Sequence, residues 1–282
     1  MSDNTLDPLV STDWLAANLD APDLRVVDGS FYLPTENRSP RGEYDAAHIP
    51  GAVFFDIDGI CDPDSELPHM FPSAARFGDE VGKLGIGNGH RIVCYDGGKM
   101  TGACRVWWMF RAFGHDNVAV LDGGMSKWRA DGHAVTDVRP AATPATFAAE
   151  FSSGMVRSVD EVLALTRSAD EQILDARSAG RFTGREPEPR AGMRSGHMPG
   201  AFNLPYTDLL SGDGTLKPPA DLKKLFRAAG VNDSAPVVTS CGSGISAALL
   251  LLGLHIIGRD DVSLYDGSWS EWGSRADTPI VT

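Results

Sequence analysis

The chain has 282 residues, of which 42% are hydrophobic, and a formal net charge of −13 from 25 basic and 38 acidic side chains. This length and composition predict one large or two ordinary globular domains with a sizeable core. The acidic balance argues against nucleic acid or an anionic membrane as a partner, because like charges repel. A site for an anion must therefore be built locally, from arginines or backbone N–H groups.

Neither the N-terminus nor the cysteines indicate a secreted or membrane protein. The first 20 residues are acidic and polar, and the most apolar stretch, 247–257, is too short to span a bilayer. The four cysteines show no CxxC pattern and no regular spacing, so neither a disulfide framework nor a metal site is predicted. The cytoplasm is the simplest location for such a chain. The cysteines are Cys61, Cys94, Cys104 and Cys241.

An internal repeat is the most informative feature of the sequence. RVVDGS, AHIPGAVFFDI and VLDGGMSKW in the first half correspond to QILDAR, GHMPGAFNLPY and LYDGSWSEW in the second. The matching residues lie 144 to 149 positions apart, which indicates two copies of a whole domain. We place the boundary near residue 145, inside the Pro-, Ala- and Thr-rich segment 136–154, which gives domains over 1–145 and 146–282.

Each copy predicts the same order of elements. An amphipathic helix comes first, STDWLAANL or SVDEVLALTRS, with Ser11 or Ser158 as its N-cap. A short strand ending in Asp28 or Asp175 follows, and a long loop leads to the HxPGA segment. A helix, a buried strand (RIVCYD or PVVTSC), a second helix and a last strand (VAVLDGG or VSLYDGS) complete the copy. This alternation is typical of an α/β fold with a parallel sheet flanked by helices.

Cys241 lies in the segment VVTSCGSGISAA (237–248), between a predicted buried strand and a predicted helix. Open α/β sheets bind ligands at such junctions. Glycines let the backbone curl so that N–H groups point inward, and with the helix dipole such a loop stabilises an anion. The anion is either the Cys241 thiolate or a charged group attached to its sulfur. The equivalent position of copy one is Asp96, so only copy two has the thiol, while Cys94 and Cys104 are expected to be buried and structural.

Two chemistries use a cysteine loop of this kind. Cysteine phosphatases need an arginine six positions after the cysteine, which clamps the phosphoryl oxygens. This chain has Ala247 at that position and no arginine before Arg259. A sulfur carrier needs only a thiolate that accepts a sulfur atom and a loop that holds the resulting persulfide. The sequence therefore favours sulfur transfer.

Over nearly its whole length the chain resembles the two-domain rhodanese-type sulfurtransferases, and most closely the 3-mercaptopyruvate sulfurtransferases. HIPGAVFFDID, RVWWMFRAFGH, LDGG, GRFTGREPEPR, GHMPGAFNLP, CGSGIS and YDGSWSEW carry the resemblance. It implies two tandem rhodanese-like domains and a substrate site lined by the loop residues Gly242, Gly244, Ile245 and Ser246. Thiosulfate-preferring members have a loop similar to Cys-Arg-Lys-Gly-Val-Thr, whereas this chain lacks both cations. Ser246 replaces the threonine common in the family but keeps a hydroxyl.

The resemblance also implies that Arg181 and Arg190, in the arginine-rich segment 180–197, contact the substrate. A 2-keto carboxylate is planar and anionic, and a guanidinium fork matches it with two hydrogen bonds. The alternative is that these arginines only pair with neighbouring acids such as Glu186 and Glu188.

A Ser-His-Asp relay of Ser243, His69 and Asp58 is implied by the same resemblance. Thiolate attack on the donor sulfur expels pyruvate as an enolate, and a serine hydroxyl oriented by a histidine and a carboxylate can supply the proton it needs. This relay would place the active site between the two copies and explain why an inactive copy persists. The alternatives are that Asp58 only caps or pairs and that His69 is a surface residue.

The sequence thus predicts an enzyme that transfers sulfane sulfur from 3-mercaptopyruvate to a thiol, cyanide or a thioredoxin-like protein, and releases pyruvate. No metal or organic cofactor is implied. Two alternatives stay open: thiosulfate as the donor, or a persulfide-carrying regulatory module with little turnover. His48 and His197 are expected to hold turns through ring-to-backbone hydrogen bonds. Core packing or packing between the two domains is expected of Trp107, Trp108, Trp128 and Trp272.

Overall fold

The computed structural model describes residues 5–282, which divide into two compact units. The first unit contains the residues up to Pro63, Phe71–Ser152 and Gly212–Thr215, and the second contains Asp64–Met70, Ser153–Ser211 and Leu216–Thr282. The segment after residue 145 packs with the first unit through Phe147, whose buried ring meets the Phe77 ring edge-on at a centroid distance of 5.7 Å.

The first unit is a parallel sheet of five strands in the order β1-β5-β4-β2-β3. Helices precede or connect the strands, with a short 3₁₀ turn at Pro34–Glu36. Its elements are β1 (Leu9–Val10), α1 (Thr12–Asn18), β2 (Leu24–Asp28), α2 (Pro40–Ala46), β3 (Val53–Phe54), α3 (Ala74–Lys83), β4 (Arg91–Tyr95), α4 (Thr101–Ala112), β5 (Val118–Leu121) and α5 (Gly124–Ala130).

The second unit repeats this plan strand for strand, in the order β6-β10-β9-β7-β8, again with every pair parallel. Two 3₁₀ turns lie at Ser153–Met155 and Tyr206–Leu209. The prediction of two α/β domains with parallel sheets is confirmed. The elements are β6 (Val156–Arg157), α6 (Val159–Ser168), β7 (Gln172–Asp175), α7 (Ala179–Phe182), β8 (Phe202–Asn203), α8 (Pro219–Ala228), β9 (Val237–Ser240), α9 (Ala247–Ile256), β10 (Val262–Tyr265) and α10 (Ser268–Trp272).

Both predicted N-caps are present. The Ser11 hydroxyl accepts a hydrogen bond from the Trp14 N–H at 3.1 Å. Ser158 forms a full capping box, because its hydroxyl accepts from the Glu161 N–H while the Glu161 carboxylate accepts from the Ser158 N–H at 2.7 Å. Each cap satisfies backbone donors that the first helical turn leaves without a partner, and so fixes where α1 and α6 begin.

The core of each unit lies around its central strands. All five residues of β4 and all four of β9 are buried, and Ala247–Leu254 of α9 are buried on every side of the helix. The four tryptophans predicted to pack in the core or between the domains are buried, as are Cys94 and Cys104, and burial raises the pKa of both thiols. Across residues 5–282 the helices are too short or too polar to span a bilayer.

The HxPGA segments contain the predicted ring-to-backbone contacts. The His48 Nδ1 atom lies 2.7 Å from the Tyr44 carbonyl, and the His197 Nδ1 atom lies 2.9 Å from the Phe182 carbonyl. Each imidazole also stacks on the ring of the same partner, with centroid distances of 4.1 and 3.9 Å. A structural role for both histidines is therefore confirmed.

Candidate active site

Three parallel strands of the second unit bring their carboxyl ends together beside Cys241. The cysteine directly follows β9, which lies between β7 and β10 in the sheet. The loops that leave β7 after Asp175, β9 after Ser240 and β10 after Tyr265 therefore start at the same edge. This edge is where open parallel sheets bind their ligands.

Hydrogen bonds from the start of α10 fix the Cys241 backbone. The Cys241 N–H donates to Ser268 Oγ at 3.1 Å, and its carbonyl accepts from the Trp269 N–H at 3.0 Å. The next carbonyl, of Gly242, accepts from both the N–H and the hydroxyl of Ser270, at 2.8 and 2.7 Å. Cys241 itself is only 2% exposed. The thiol thus sits on a rigid, nearly closed loop.

The equivalent loop of copy one shows what the curled backbone binds. The buried Asp96 carboxylate accepts hydrogen bonds from four backbone N–H groups, with distances between 2.9 and 3.2 Å. Burial raises the pKa of Asp96, and the four N–H donors oppose that rise. The donors belong to Gly98, Met100, Gly102 and Ala103. In this copy the loop holds a carboxylate as its own internal ligand.

The same loop of copy two has its donors but lacks the carboxylate. The four equivalent N–H groups belong to Ser243, Ile245, Ala247 and Ala248. Ala248 donates to the Ile245 carbonyl at 3.2 Å, whereas no residue of the described chain accepts from the other three. All of these residues are buried. Buried N–H groups without an acceptor are costly, so this arrangement of donors can hold an anion beside Cys241.

A chain of buried charges lies beside this loop. The fully buried Arg177 stacks on Trp269, with its guanidinium carbon 4.0 Å from the ring centroid, and donates to Asp175 at 2.7 Å and to Glu188 at 2.7 Å. Burial alone would lower the pKa of Arg177, but the two carboxylates raise it above its ordinary value. Glu188, whose side chain is 2% exposed, also accepts from Arg181 at 2.5 Å.

Both arginines predicted to contact the substrate lie next to the Cys241 loop. A Cβ atom at Gly242 would be 3.0 Å from Arg181 Nη2, and Arg190 Nη1 is 3.4 Å from Ser270 Oγ. Arg181 differs from the expected clamp, because its Nε–Nη2 edge already binds Glu188. Arg181 therefore does pair with an acid, as in the alternative, although the acid is a buried one.

The three predicted relay residues come from three segments of the chain. Ser243 is buried in the loop, and His69 is buried in the segment Asp64–Met70, which belongs to the second unit. The His69 backbone has a φ of 42°, in the left-handed region, and such strain is often stored at functional sites. Asp58 is exposed in a turn of the first unit, where its carbonyl accepts a hydrogen bond from Cys61 Sγ.

Sequence reasoning missed Ser268, Ser270 and Arg177, and it named Glu188 only as one of two acids that could pair with the arginines. Ser268 is fully buried with a φ of 49°, and its hydroxyl accepts from the Cys241 N–H while donating to the Tyr265 carbonyl at 2.8 Å. Copy one has Gly124 there, with a φ of 54°. A serine in a conformation that suits glycine indicates that the hydroxyl is needed, and the alignment of DGGMSKW with DGSWSEW contained that signal.

One family model matches both copies of the repeat. The model of the rhodanese-like domain matches residues 11–131 and 158–275. The chain belongs to the rhodanese family.

Rhodanese-family relatives match nearly the whole chain. Thiosulfate/3-mercaptopyruvate sulfurtransferase 1, mitochondrial, of Arabidopsis thaliana is 43% identical over 98% of this chain and 79% of the relative. The thiosulfate sulfurtransferase of Rattus norvegicus is 43% identical over 95% of this chain and 92% of its own length. The crystal structure of SseA, a 3-mercaptopyruvate sulfotransferase from Escherichia coli, superposes with a TM-score of 0.86 at 37% identity, covering 94% and 99% of the two chains. This rhodanese-family chain is a sulfurtransferase.

We expect Asp96→Asn to destabilise the first unit. Each carboxylate oxygen of Asp96 accepts two N–H groups, and an asparagine would turn its own NH₂ group toward one of these pairs. Two buried donors would lose their acceptor, which lowers the free energy of unfolding by about 2–4 kcal/mol. Thermal and denaturant unfolding would measure the loss. The control is Asp79→Asn, at an exposed carboxylate of α3. Equal stability of the two variants would contradict this account of the loop.

Proposed function

We propose that the protein transfers sulfane sulfur from 3-mercaptopyruvate to a nucleophilic acceptor through a persulfide on Cys241. The observation that supports this most is the set of buried N–H groups of Ser243, Ile245 and Ala247, which lack an acceptor within the described chain. They surround the position that the Asp96 carboxylate fills in copy one. A thiolate on Cys241, or the terminal sulfur of a persulfide, supplies the anion that these groups need.

Each half-reaction is a displacement at sulfur. The Cys241 thiolate attacks the donor sulfur, an S–S bond forms, and the carbon–sulfur bond breaks with its electron pair left on carbon. The resulting enolate takes a proton and leaves as pyruvate. In the second half, the acceptor attacks the outer sulfur, the S–S bond breaks, and the Cys241 thiolate returns. This is ping-pong covalent catalysis.

We infer the donor from the charges around the loop, because sequence identity to the relatives does not distinguish 3-mercaptopyruvate from thiosulfate. Relatives named for thiosulfate alone and for both donors are equally similar to this chain, at 43% identity. Between Cys241 and Arg259 the chain has no lysine or arginine. Arg181 and Arg190 lie beside the loop, and Arg181 shares its charge with Glu188. This limited positive charge suits a monoanionic carboxylate better than a dianion.

Proton delivery to the enolate is assigned to Ser243, oriented by His69 and Asp58. Ser243 is the second residue after the nucleophile, and His69 belongs to the same compact unit. The left-handed backbone of His69 indicates that its position is imposed by its surroundings. The inclusion of Asp58 rests on the family resemblance.

The acceptor is a thiol, cyanide or a thioredoxin-like protein, and the site of action is the cytoplasm. Because Cys241 is only 2% exposed, the acceptor must present a slender nucleophile to the outer sulfur. A persulfide-carrying regulatory module is the second candidate, favoured by the near-closure of the thiol. Multiple turnovers with a small-molecule donor would identify an enzyme, whereas a single stoichiometric loading would identify the module.

The first test identifies the nucleophile. After treatment with 3-mercaptopyruvate, mass spectrometry should show one additional sulfur atom on the peptide that contains Cys241 and none on Cys94 or Cys104, whose thiols are fully buried. Cys241→Ser should lose the modification and the activity. Cys61→Ser, at a half-buried thiol outside the loop, should keep both. Full activity of Cys241→Ser would overturn the proposal.

The second test compares donors. We expect kcat/KM for 3-mercaptopyruvate to exceed that for thiosulfate by at least about tenfold, equivalent to roughly 1.4 kcal/mol of transition-state binding. The reason is the shortage of cations at the Cys241 loop. Steady-state assays at one ionic strength with cyanide as the common acceptor would measure the ratio. A higher value for thiosulfate would make thiosulfate the donor.

The third test concerns the relay. His69→Ala should lower kcat for 3-mercaptopyruvate by about 10²–10⁴-fold, because general acid catalysis acts in the transition state. The double variant His69→Ala/Ser243→Ala should have a kcat only slightly below that of the slower single variant, because both residues belong to one relay. Thiosulfate is the internal control, because its sulfite leaving group needs no proton at neutral pH. Unchanged turnover of 3-mercaptopyruvate by His69→Ala would remove His69 from the mechanism.

A further inference from the structure

The glycine after the nucleophile is required by one side chain. Gly242 does not have a left-handed backbone, so its conformation admits any residue. A Cβ atom built there meets three atoms within 4 Å, all of them in the Arg181 guanidinium: Nη2 at 3.0 Å, Nη1 at 3.9 Å and Cζ at 4.0 Å. A side chain at residue 242 would therefore require the Arg181 guanidinium to shift by a few tenths of an ångström.

The end of an arginine side chain normally moves aside at little cost, but Glu188 prevents this for Arg181. Both Glu188 oxygens accept from Arg181 Nε, at 3.3 and 3.2 Å, and one also accepts from Nη2 at 2.5 Å. Glu188 is fixed in turn by the fully buried Arg177, which also binds Asp175 and the Gly196 carbonyl. The position of Arg181 is thus set by a continuous series of buried contacts that begins at the end of β7.

Copy one contains a related arrangement with a different purpose. Arg38 binds Glu43 through Nε at 2.8 Å, and its Nη2 donates to the carbonyl of Gly97, the counterpart of Gly242, at 3.1 Å. Arg38 therefore braces the backbone of its own loop. In copy two the Gly242 carbonyl is already satisfied by Ser270.

Arg181 consequently has N–H donors that are not used within the described chain. Its Nε–Nη2 edge binds Glu188, and its Nη1 atom donates to no residue in the part of the chain that the structure describes. The side chain keeps 20% exposure at the loop that holds Cys241. The contacts that hold Arg181 do not support the loop backbone, and they leave its Nη1 edge available beside the Cys241 loop.

We propose that Glu188 is a positioning residue, which holds the Arg181 guanidinium against Gly242 so that the free Nη1 edge faces the donor carboxylate. The same contact enforces glycine at residue 242 and so keeps a cationic side chain out of the loop. This inference rests on the proposed function, because it assigns the donor carboxylate as the group that Arg181 meets.

The test compares Glu188→Gln with Glu43→Gln, its counterpart in copy one. In Glu188→Gln the Arg181 side chain regains its freedom, and each binding event must order it again. We expect KM for 3-mercaptopyruvate to rise about 3- to 10-fold with kcat nearly unchanged, because the contact acts in the ground and transition states alike. Glu43→Gln should leave KM unchanged. If both variants leave KM unchanged, or raise it equally, the positioning role is wrong.

A second variant approaches the same contact from the loop and does not depend on how well Glu188→Gln folds. Gly242→Ala places a Cβ against the fixed Arg181 and should raise KM about 3- to 10-fold. In the Arg181→Ala background, Gly242→Ala should raise KM little further, because the obstructing guanidinium is gone. An equal effect of Gly242→Ala in both backgrounds would show that Arg181 does not restrict residue 242 and would overturn the inference.

Mass spectrometry of the parent protein separates this inference from the proposed function. If the parent forms no Cys241 persulfide with 3-mercaptopyruvate, the proposed function itself fails. If the parent forms the persulfide normally while the KM of Glu188→Gln equals that of the parent, only the positioning role fails. Thermal melts of all variants report whether a KM change arises in folded protein.

Discussion

The backbone N–H groups at the start of α4 and α9 need an acceptor, and this need shapes both copies of the domain. In copy one the chain curls at the end of a central strand, so that four N–H groups converge on one carboxylate. Asp96 supplies that carboxylate permanently. In copy two the side chain is a thiol, and three of the equivalent donors have no acceptor in the described chain, so under the proposed function an anionic sulfur satisfies them. Both loops thus need an acceptor for their backbone N–H groups. Copy one supplies it from its own side chain, whereas copy two leaves the position available to a ligand.

The comparison of Asp96 with Cys241 also indicates which state the loop fits best. An aspartate places its oxygen two bonds beyond Cβ, and a persulfide places its outer sulfur two bonds beyond Cβ as well. A bare thiolate ends one bond earlier. Because the donors of copy one converge on the Asp96 oxygens, we infer that the three matching donors of copy two without an acceptor in the described chain suit the terminal sulfur of a persulfide. Under the proposed function the loop then stabilises the sulfur-loaded intermediate, which lets the two half-reactions be separated in time.

Much of this architecture was predictable from the sequence, because the repeat, the caps and the strand–loop–helix pattern of Cys241 are local signals. The side-chain pairs within the arginine-rich loop were not. Glu186 and Glu188 look alike in sequence, yet Glu186 binds the exposed Ser178 hydroxyl while Glu188 turns inward to two arginines. That choice depends on Arg177, which has Ser30 as its counterpart in copy one and is buried only once the sheet has formed. Long-range burial, which no local pattern records, decides such contacts.

Under the proposed function, the alternation of charges beside the loop accounts for the preference among donors. Asp175, Arg177, Glu188 and Arg181 carry two negative and two positive charges, so the series as a whole is neutral. An incoming anion therefore meets a directed N–H edge of Arg181 rather than a large positive field. A dianion gains most from accumulated charge, whereas a carboxylate gains most from fixed donors in its own plane. A neutral series that holds one guanidinium rigidly thus favours a planar carboxylate donor, and it does so without any cation on the loop that carries the nucleophile.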